Sequence, residues 1–391
     1  MAVSLINLYN KIKSIDGQQI DLVAGEKGLN NVVRWVHIVE INELTSFLEG
    51  NELIFTTGMT IKNNEDLLEL VKEIFESKAS GLVINTGPYI ERIPEEIIDF
   101  CNERGFPLFR VPWQVYLGKT MKICAEEINK ADQRSMEISA AIQNSFFNPD
   151  NHNLYIPILE KYGFQQEWSY CVALVEYVSD NDDNINDFIE KICKNIENSL
   201  TFYSVHVKVF SMGNQIAVLF VNQSDSSSYE IMEHIKQRCA VCDRDDIKAY
   251  IGIGRNTNSV RCIYKSYRIA HKVVELQKKK QKYNEVMSYR SMGFSKIFLA
   301  MEDTEIMHEY YSDVLEPLVR YDILNNTDFT DFLNIYFECG SSVKTTSEKL
   351  FLHRNTVNYK LSKIQDILGC DLSDFNTKTE LLIALKLKEI L

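Results

Sequence analysis

The sequence predicts a multidomain chain of α/β plus all-α architecture: an N-terminal α/β domain with a parallel sheet, a central α+β domain and a C-terminal helical bundle. The length, 391 residues, exceeds the usual size of one hydrophobic core. Strand-like and helix-like segments alternate in the first third, which is typical of parallel pairing with right-handed crossovers. The end of the chain shows only helical periodicity. The predicted segments are 1–113, a linker helix over 114–148, 149–300 and 301–391.

The composition is that of a folded protein without export or membrane signals. Hydrophobic residues make up 45% and charged residues 25%, and no apolar run approaches the length of a membrane span. Nine cysteines without a framework suit a reducing compartment. Cys239 and Cys242 form a single C-x-x-C that no second pair completes. We therefore predict a cytoplasmic protein with no membrane partner, no metal and no cofactor.

Charge is distributed unevenly along the chain. The net charge of -13 excludes a chain coated in nucleic acid, because phosphate binding needs a positive surface. Between Ser341 and Gly369, however, five basic residues stand against two acidic ones, a local balance of +3. This asymmetry predicts a small nucleic-acid-binding module attached to acidic domains.

The N-terminal strands end in residues suited to ligand contacts. Strands are predicted over Arg34–Val39, Glu52–Thr56, Gly81–Asn85 and Pro107–Val111, with helices over Glu65–Ser77 and Pro94–Arg104. The second and third strands run into Thr-Gly steps, and open parallel sheets bind ligands at their carboxyl ends. The alternative is that these glycines merely terminate strands. The predicted contacts to an unknown small-molecule effector are Thr56, Thr57, Asn85 and Thr86.

One long helix is predicted to link the first two domains. From Leu117 to Ser145, apolar and small residues recur at spacings of four and three, the repeat of a coiled-coil seam. Two serines and a cysteine interrupt that seam, so a helix that packs within its own chain is an open alternative to a dimerising one. Asn148-Pro149-Asp150 ends the helix. We expect a homodimer or higher oligomer.

The central region mixes helices with an antiparallel sheet, as a self-sufficient domain does. The predicted elements are strand Tyr170–Tyr177, helix Asp187–Leu200, hairpin strands His206–Phe210 and Ile216–Val221, helix Glu230–Cys239, strand Ile247–Ile253 and helix Val260–Lys280. The run Lys278–Lys280 is expected to complement the helix dipole and to remain in water.

The C-terminal region contains the elements of a helix-turn-helix. A first helix, Phe329–Phe337, stops at Gly340. Ser341 and Ser342 cap a second helix, and His353 caps a third, Arg354–Leu368. The expected inward positions of the second helix are Val343, Ser347 and Leu350, and those of the third are Val357, Leu361, Ile364 and Leu368. Two short helices joined by a tight turn are typical of this motif.

The third helix carries a polar face suited to base edges. Arginine pairs with guanine and asparagine with adenine in the major groove, while hydroxyl and ammonium groups reach phosphates. The expected base-contacting residues are Arg354, Asn355, Asn358 and Ser362, and the expected flanking phosphate contacts are Thr356, Tyr359, Lys360 and Lys363. The alternative is a solvated face in a helical bundle. A capping box at Thr377–Glu380 is expected to start a last helix that buries Leu381, Leu382 and Leu385.

Several sequence stretches resemble one regulator family. Leu350–Leu361, Gly369–Leu372 and Glu380–Leu385 resemble the C-terminal helix-turn-helix of PucR-type regulators, although Lys360 replaces a common arginine and Ser347 a common alanine. The N-terminal resemblance lies in Val39-Glu40, Gly50–Leu53, Thr56–Gly58, Gly105–Leu108 and Val111-Pro112. The middle is similar to the family's GGDEF-like domain. The resemblance implies a ligand-responsive bacterial transcription regulator of metabolic or catabolic genes that binds double-stranded DNA.

Catalysis is the competing hypothesis for the central domain, because a GGDEF fold can make a cyclic dinucleotide. Such chemistry needs carboxylates on the hairpin to hold magnesium. The hairpin turn Ser211–Gln215 has none, and no phosphate-binding loop occurs elsewhere. We therefore predict a non-enzyme with a degenerate GGDEF-like domain. A further alternative is a signalling or interaction protein without sequence-specific DNA binding.

Overall fold

The computed structural model describes residues 3–179, 185–200, 207–238, 246–301 and 304–391. These form two compact units, Met1–Gln143 and Asn144–Leu391. The mixed α/β architecture followed by a helical region confirms the predicted fold class. The predicted domain boundaries stay predictions.

The first unit is built on a five-stranded sheet of order β2-β7-β6-β5-β4. Strands β4 to β7 pair in parallel, as predicted. The antiparallel edge strand β2 was not predicted, because four residues between turns give no readable alternation. The elements are β1 Val3–Ser4, α1 Leu5–Lys13, β2 Asp21–Ala24, β3 Val32–Val33, β4 Trp35–Ile38, β5 Glu52–Thr56, α2 Asn64–Glu76, β6 Gly81–Thr86, α3 Glu95–Arg104, β7 Leu108–Pro112 and α4 Leu117–Phe147.

Both faces of this sheet are covered by helices. Helices α2 and α3 pack on one face, where Ile54 and Leu82 lie. Helix α1 and the start of α4 pack on the other, against Phe55 and Val83. All five residues of β5 are buried, which explains why this strand is a continuous apolar run rather than an alternating one.

The predicted seam of α4 is largely buried within the chain. Cys124 and Ile128 lie in the core of the first unit, and Ile138, Ile142 and Ser145 in the second half of the helix are buried as well. These positions are therefore not available to a partner helix. The burial favours the intramolecular alternative for this helix.

The central part of the second unit has a five-stranded sheet of order β12-β11-β8-β10-β9. The predicted strands are all present in this sheet. The hairpin turn contains fewer residues than predicted, and the strand β12 was not predicted. Helix α7 begins at Asp225 rather than Glu230, because Ser224 Oγ accepts a hydrogen bond from the Ser227 N–H (3.0 Å). His206 and Cys239 lie outside the described residues. The elements are α5 Ile156–Lys161, β8 Tyr170–Ser179, α6 Ile185–Leu200, β9 Val207–Met212, β10 Gln215–Val221, α7 Asp225–Arg238, β11 Ile247–Ile253, α8 Ile263–Lys279 and β12 Val286–Ser288.

The C-terminal helices pack around one core. Three predicted details of these helices were wrong. Thr346, not Ser347, is the fully buried position of the second helix of the motif. The last helix begins at Phe375, since Asp374 Oδ2 accepts a hydrogen bond from the Thr377 N–H (2.8 Å), so the predicted capping box is wrong. Leu382 is 40% exposed. The helices are α9 Lys296–Ala300, α10 Glu305–Val314, α11 Glu316–Asn325, α12 Phe329–Glu338, α13 Val343–Leu350, α14 Arg354–Leu368 and α15 Phe375–Ile390.

The lysine run at the end of α8 has partners that the sequence did not reveal, although Lys279 and Lys280 stay exposed as predicted. Lys278 is half-buried and pairs with Glu176 of β8 and with Glu275 (2.9 Å). Lys279 Nζ donates to the carbonyl oxygen of Ile390 (2.6 Å), and Lys280 Nζ lies 2.6 Å from the carboxylate of Glu389. These partners were missed because β8 and α15, which are distant in sequence, bring oxygen atoms to this turn.

The described cysteines have free thiols. Burial raises the pKa of Cys101, Cys124 and Cys171 to about 12. These thiols therefore stay protonated near neutral pH and are poor nucleophiles and metal ligands. The predicted Cys239-x-x-Cys242 motif lies outside the described residues. Among the described helices, none has the length and apolar character to cross a membrane.

Asp322 joins α11 to α12 through a group of short hydrogen bonds. Its carboxylate accepts from Thr327 Oγ1 (2.6 Å), the Phe329 N–H (2.9 Å), and the N–H and Oγ1 of Thr330 (both 2.7 Å). Partial burial raises the pKa of Asp322, but these hydrogen bonds outweigh it and hold the pKa below its ordinary value. The carboxylate therefore stabilises the start of α12 in its ionised form.

We expect Asp322→Asn to loosen the start of α12 by about 1.5–3 kcal/mol at neutral pH. Because the folded pKa is lowered, this stabilisation is present above the unfolded pKa of about 3.9 and is lost as pH falls through the folded value. Hydrogen exchange of the 322–337 peptide should therefore differ from wild type at pH 7 and converge with it in acid. Asp331→Asn, on an exposed position of α12, is the matched control. An unchanged exchange rate at pH 7 would contradict the capping role.

Candidate nucleic-acid interface

Helices α13 and α14 form the helix-turn-helix. The three residues between them, Phe351 to His353, make the turn, and Phe351 has φ +55° and is 96% exposed. The Leu352 N–H donates to the Ser347 carbonyl oxygen (3.0 Å), which closes the end of α13. A left-handed phenylalanine is uncommon. The local hydrogen bond holds this turn and sets the entry of the chain into α14.

The first helix of the motif, α13, is held by its serine cap. Ser342 Oγ accepts a hydrogen bond from the Thr345 N–H (3.3 Å). Thr346 is fully buried, and its Oγ1 donates to the Ser342 carbonyl oxygen (2.8 Å). Val343 and Leu350 pack on the shared core as predicted. These contacts therefore stabilise α13, the helix from which the turn begins.

The second helix of the motif, α14, has one buried and one open face. Val357 and Ile364 have no exposed area, and Leu361 and Leu368 pack on the same core. The His353 ring nitrogen Nδ1 accepts a hydrogen bond from the Asn355 N–H (3.2 Å), which confirms His353 as the cap. These contacts fix the rotation of the helix about its axis.

The four residues predicted to contact bases lie together on the open face. Their side chains make no hydrogen bond to any described residue, and all four are exposed at the start or middle of α14: Arg354, Asn355, Asn358 and Ser362. Of the predicted flanking residues, Thr356 and Tyr359 are exposed, and Lys363 is partly exposed.

Lys360 lies elsewhere than predicted. Its side chain is only 19% exposed, and its ammonium pairs with Asp328 at the start of α12. It also lies over the rings of Phe329 and Phe332, 5.7 and 5.2 Å from their centroids. The prediction that Lys360 contacts a phosphate did not take these partners into account. Asp328 is distant in sequence and meets Lys360 only in the folded bundle.

The positive charge of the motif is partly neutralised within the bundle. Lys349 pairs with Glu338 (2.9 Å), as Lys360 does with Asp328. Sequence reasoning also missed exposed residues of α13, since it treated that helix only as support. Lys344 and Thr345 are exposed near its start, where a helix that crosses the DNA backbone meets phosphates. A lysine and a hydroxyl just after the serine cap were the available signal.

The predicted effector contacts lie at one edge of the N-terminal sheet, where Thr86 ends β6 and pairs with Pro112 of β7. The side chains of the other three bind other parts of the chain. The Glu40 carboxylate accepts from the N–H and Oγ1 of Thr57 (both 2.9 Å), the Gly58 N–H (3.1 Å) and Thr56 Oγ1 (3.2 Å). Gly58 has φ +70°, and a Cβ there would lie 2.2 Å from Ile90. Asn85 Nδ2 donates to the carbonyl oxygens of β7 at Val111 (3.0 Å) and Pro112.

We expect Glu40→Gln to free the loop after β5, because a neutral amide replaces a carboxylate that gathers several donors. Losing charge-assisted hydrogen bonds costs about 1.5–3 kcal/mol, so amide exchange of Thr57 and Gly58 should accelerate about tenfold to a hundredfold. Glu43→Gln, on an exposed side chain nearby, is the control. Equal exchange in both variants would show that Glu40 does not hold this loop.

Among the described residues, one group could hold a metal. Atoms of Glu176, His271 and Glu275 lie within 4.8 Å of one another. The Lys278 ammonium already pairs with both carboxylates, and Gln215 Nε2 donates to Glu176 (2.8 Å). A resident cation therefore satisfies these carboxylates, and the group does not fit a metal without displacing Lys278.

The fold and the exposed face of α14 define a multidomain protein of the helix-turn-helix class. Sequence models of protein families match three segments: the purine catabolism regulatory protein-like family over residues 11–128, the GGDEF-like domain over 158–276 and the PucR C-terminal helix-turn-helix domain over 329–387. The chain thus carries a PucR family domain and a PucR-type C-terminal helix-turn-helix domain. This confirms the predicted family and the GGDEF-like nature of the central domain.

Curated relatives from Bacillus subtilis (strain 168) carry regulator names. The chain is 30% identical over 138 residues to the Purine catabolism regulatory protein, which covers 35% of this chain and 26% of that protein. It is 25% identical over 309 residues to the Proline-responsive transcriptional activator PutR, covering 76% and 70%. It is 26% identical over 141 residues to the DNA-binding transcriptional activator AdeR, covering 36% and 33%. The similarity is thus extensive for one relative and partial for the others.

Proposed function

We propose that this chain is a cytoplasmic, ligand-responsive transcriptional regulator that binds operator DNA through α14 and controls metabolic or catabolic genes. One observation supports this above all. Four side chains suited to base edges share the open face of α14, whereas Val357 and Ile364 on the opposite face are completely buried. A helix held in this way can enter the major groove without losing its core contacts.

Each exposed residue has a role that follows from its chemistry. Arg354 pairs in bidentate fashion with guanine, Asn355 and Asn358 pair with adenine, and Ser362 adds a further base or backbone contact. Phosphates are contacted by Thr356, Tyr359 and Lys363, joined by Lys344 and Thr345 from α13. Lys360 instead supports the module by neutralising Asp328.

The regulator acts as a homodimer or higher oligomer in this proposal. Two modules spaced about 34 Å apart would read the two halves of a pseudo-palindrome. Sedimentation at micromolar concentration, with and without DNA, tests this step. A strict monomer in both conditions would contradict the proposed oligomer. The proposed DNA contacts of α14 would still stand.

A small metabolite is the proposed effector, in keeping with the name of one relative, which describes a response to proline. Contacts at Thr56, Thr57, Asn85 and Thr86 remain a proposal. Since Glu40 now occupies the donors of Thr56 and Thr57, an effector at this edge would have to displace that carboxylate. The site would then suit an anion.

The central domain acts without catalysis in this proposal. Its hairpin turn carries Gly213 and Asn214 instead of carboxylates, and the nearby Glu176 is bound to Lys278. Purified protein supplied with GTP and magnesium should therefore form no cyclic dinucleotide. Turnover of GTP that depends on Glu176 would overturn this part of the proposal.

In vitro selection tests the proposed function and identifies the operator sequence in the same experiment. The full chain is incubated with random-sequence duplexes, and bound DNA is amplified over several rounds. We expect a common motif to be enriched. If no motif emerges with or without candidate metabolites, the alternative of an interaction protein that lacks sequence-specific DNA binding would replace the proposal.

A further inference from the structure

The outer edge of β4 in the N-terminal sheet is open. Among the described residues, β4 is the last strand on its side of the sheet, and its neighbour is β5. An edge strand presents a row of backbone N–H and C=O groups without a strand partner. Two side chains of β4, Trp35 and Ile38, are 52% and 43% exposed. This edge therefore offers both unpaired backbone groups and apolar side chains.

The opposite edge of the same sheet is protected against further pairing. Strand β2 has four residues, as β4 has. The register of its pairing with β7 shifts between Leu22 and Ala24, and Asp21 forms an ion pair with Arg110 (2.7 Å). Irregular backbone and charged side chains prevent edge-to-edge association. By contrast, β4 has a regular register with β5 and contains no Asp, Glu, Lys, Arg or Pro. Of these two edges, only β4 is suited to receive another strand.

We propose that β4 pairs in antiparallel orientation with β4 of a second copy of this chain. Five strands from each copy then form one continuous sheet across a twofold axis. Because β4 has no acidic or strongly basic side chain, no like charges meet across the strand pair. The assembly stops at two copies, because the edge that remains free is the protected strand β2. The pairing itself is independent of DNA, whereas its role in operator binding rests on the proposed function.

The burial of the α4 seam favours a second copy as the partner of this edge. Cys124, Ile128, Ile138 and Ile142 are buried within the chain, so the proposed homodimer needs a contact surface other than this seam. The apolar surface of β4 continues to Ile41, just after the strand, which is 40% exposed. An uncharged strand edge meets that need, because a twofold interface brings the same surface of both copies together.

Symmetry limits the register of this pairing. Side chains alternate between the two faces of a strand, and a twofold axis perpendicular to the sheet brings residues of the same face opposite each other. The axis therefore passes beside Val36, which places Trp35 opposite His37 of the second copy, or beside His37, which places Val36 opposite Ile38. Both arrangements join aromatic or aliphatic side chains, and such cross-strand pairs stabilise a sheet.

Single cysteines on β4 test the pairing and its register. Residues that face each other at the axis have Cα atoms about 4.5–5.5 Å apart, which a disulfide can bridge. Under mild oxidation we expect either Val36→Cys or His37→Cys, but not both, to cross-link two copies at least about tenfold faster than wild type, whose native thiols give the background. Glu69→Cys, on an exposed position of α2, is the control and should stay at the background rate. Equal rates in all three variants would overturn the proposal.

Charged substitutions test the same interface without thiol chemistry. Trp35→Lys with Ile38→Lys places ammonium groups on the edge, as protected natural edges do. Tyr116→Lys with Met136→Lys makes the same change of charge at positions that are 77% and 72% exposed elsewhere in the first unit. In sedimentation equilibrium, the dissociation constant of the dimer should rise about tenfold or more in the first variant and stay within about twofold in the second. An unchanged value in the β4 variant, or an equal rise in both, would overturn the proposal.

Operator binding separates this inference from the proposed function. Two linked modules bind the halves of a pseudo-palindrome more tightly than one module binds a single half. Trp35→Lys with Ile38→Lys should therefore lose about tenfold or more in affinity for the full operator and stay within about twofold for a half-site. If β4 pairs and no DNA motif is selected, the proposed function fails and the interface stands. If wild type binds a selected motif but neither β4 cysteine variant cross-links, the interface is wrong and the proposed function stands.

Discussion

Replacing Arg354 and Asn358 together by alanine should abolish the preference of the protein for its operator. Each base contact of this kind is worth about 1–3 kcal/mol of discrimination, so the pair contributes about 2–6 kcal/mol, at least about thirtyfold in affinity. Both side chains are exposed on the open face of α14, so the fold should survive. Fluorescence anisotropy with operator and scrambled duplexes measures the loss.

A matched control separates base reading from simple loss of polar groups. Arg320 and Asn325 have the same chemistry and lie on α11, outside the two helices of the helix-turn-helix. Arg320→Ala with Asn325→Ala should retain operator preference within about twofold. If the α14 double variant still distinguished operator from scrambled DNA, the assignment of this face to base contacts would be wrong.

Leu385→Ala should destabilise the C-terminal module far more than Leu382→Ala. Leu385 is 4% exposed and lies in the core that supports α14, whereas Leu382 on the same helix is 40% exposed. Truncation of a buried leucine costs about 2–5 kcal/mol, and we expect the exposed leucine to cost less than about 1 kcal/mol. Hydrogen exchange of the α14 peptide in the full chain reports the difference.

The same pair of variants has a consequence for DNA binding. Because Leu385 lies in the same core as Val357 and Ile364 of α14, its truncation should weaken binding to operator and scrambled DNA together rather than erase the preference. Leu382→Ala should leave both affinities unchanged. Similar destabilisation by the two substitutions would show that α15 is rotated relative to the orientation described above.

Elements with strong local signals were predictable from the sequence. Helix α14 was placed from Arg354 to Leu368 because a histidine cap, an apolar stripe and Gly369 all agree. Strand β5 was placed at its observed bounds because an apolar run ends at a Thr-Gly step. The short edge strands β2 and β12 were missed, since four and three residues show no periodicity.

Side-chain partners from distant segments were not predictable. The roles of Lys360 and of Lys279 and Lys280 depend on acids and carbonyl oxygens that only the fold brings near. Likewise, the strand-edge threonines were correctly placed at the carboxyl edge, but Glu40 takes their hydrogen bonds. Periodicity reveals which face of an element is polar, yet it does not reveal what that face meets.

Binding to DNA across a salt series tests whether α14 reads a specific DNA sequence. Purified wild-type protein is titrated with fragments of its own upstream region and with scrambled duplexes from about 50 to 200 mM salt. We predict that one fragment binds at least about a thousandfold tighter than scrambled DNA and that both affinities fall as salt rises. Equal affinity for all fragments at every salt concentration, with candidate metabolites present, would show that the protein does not read DNA sequence.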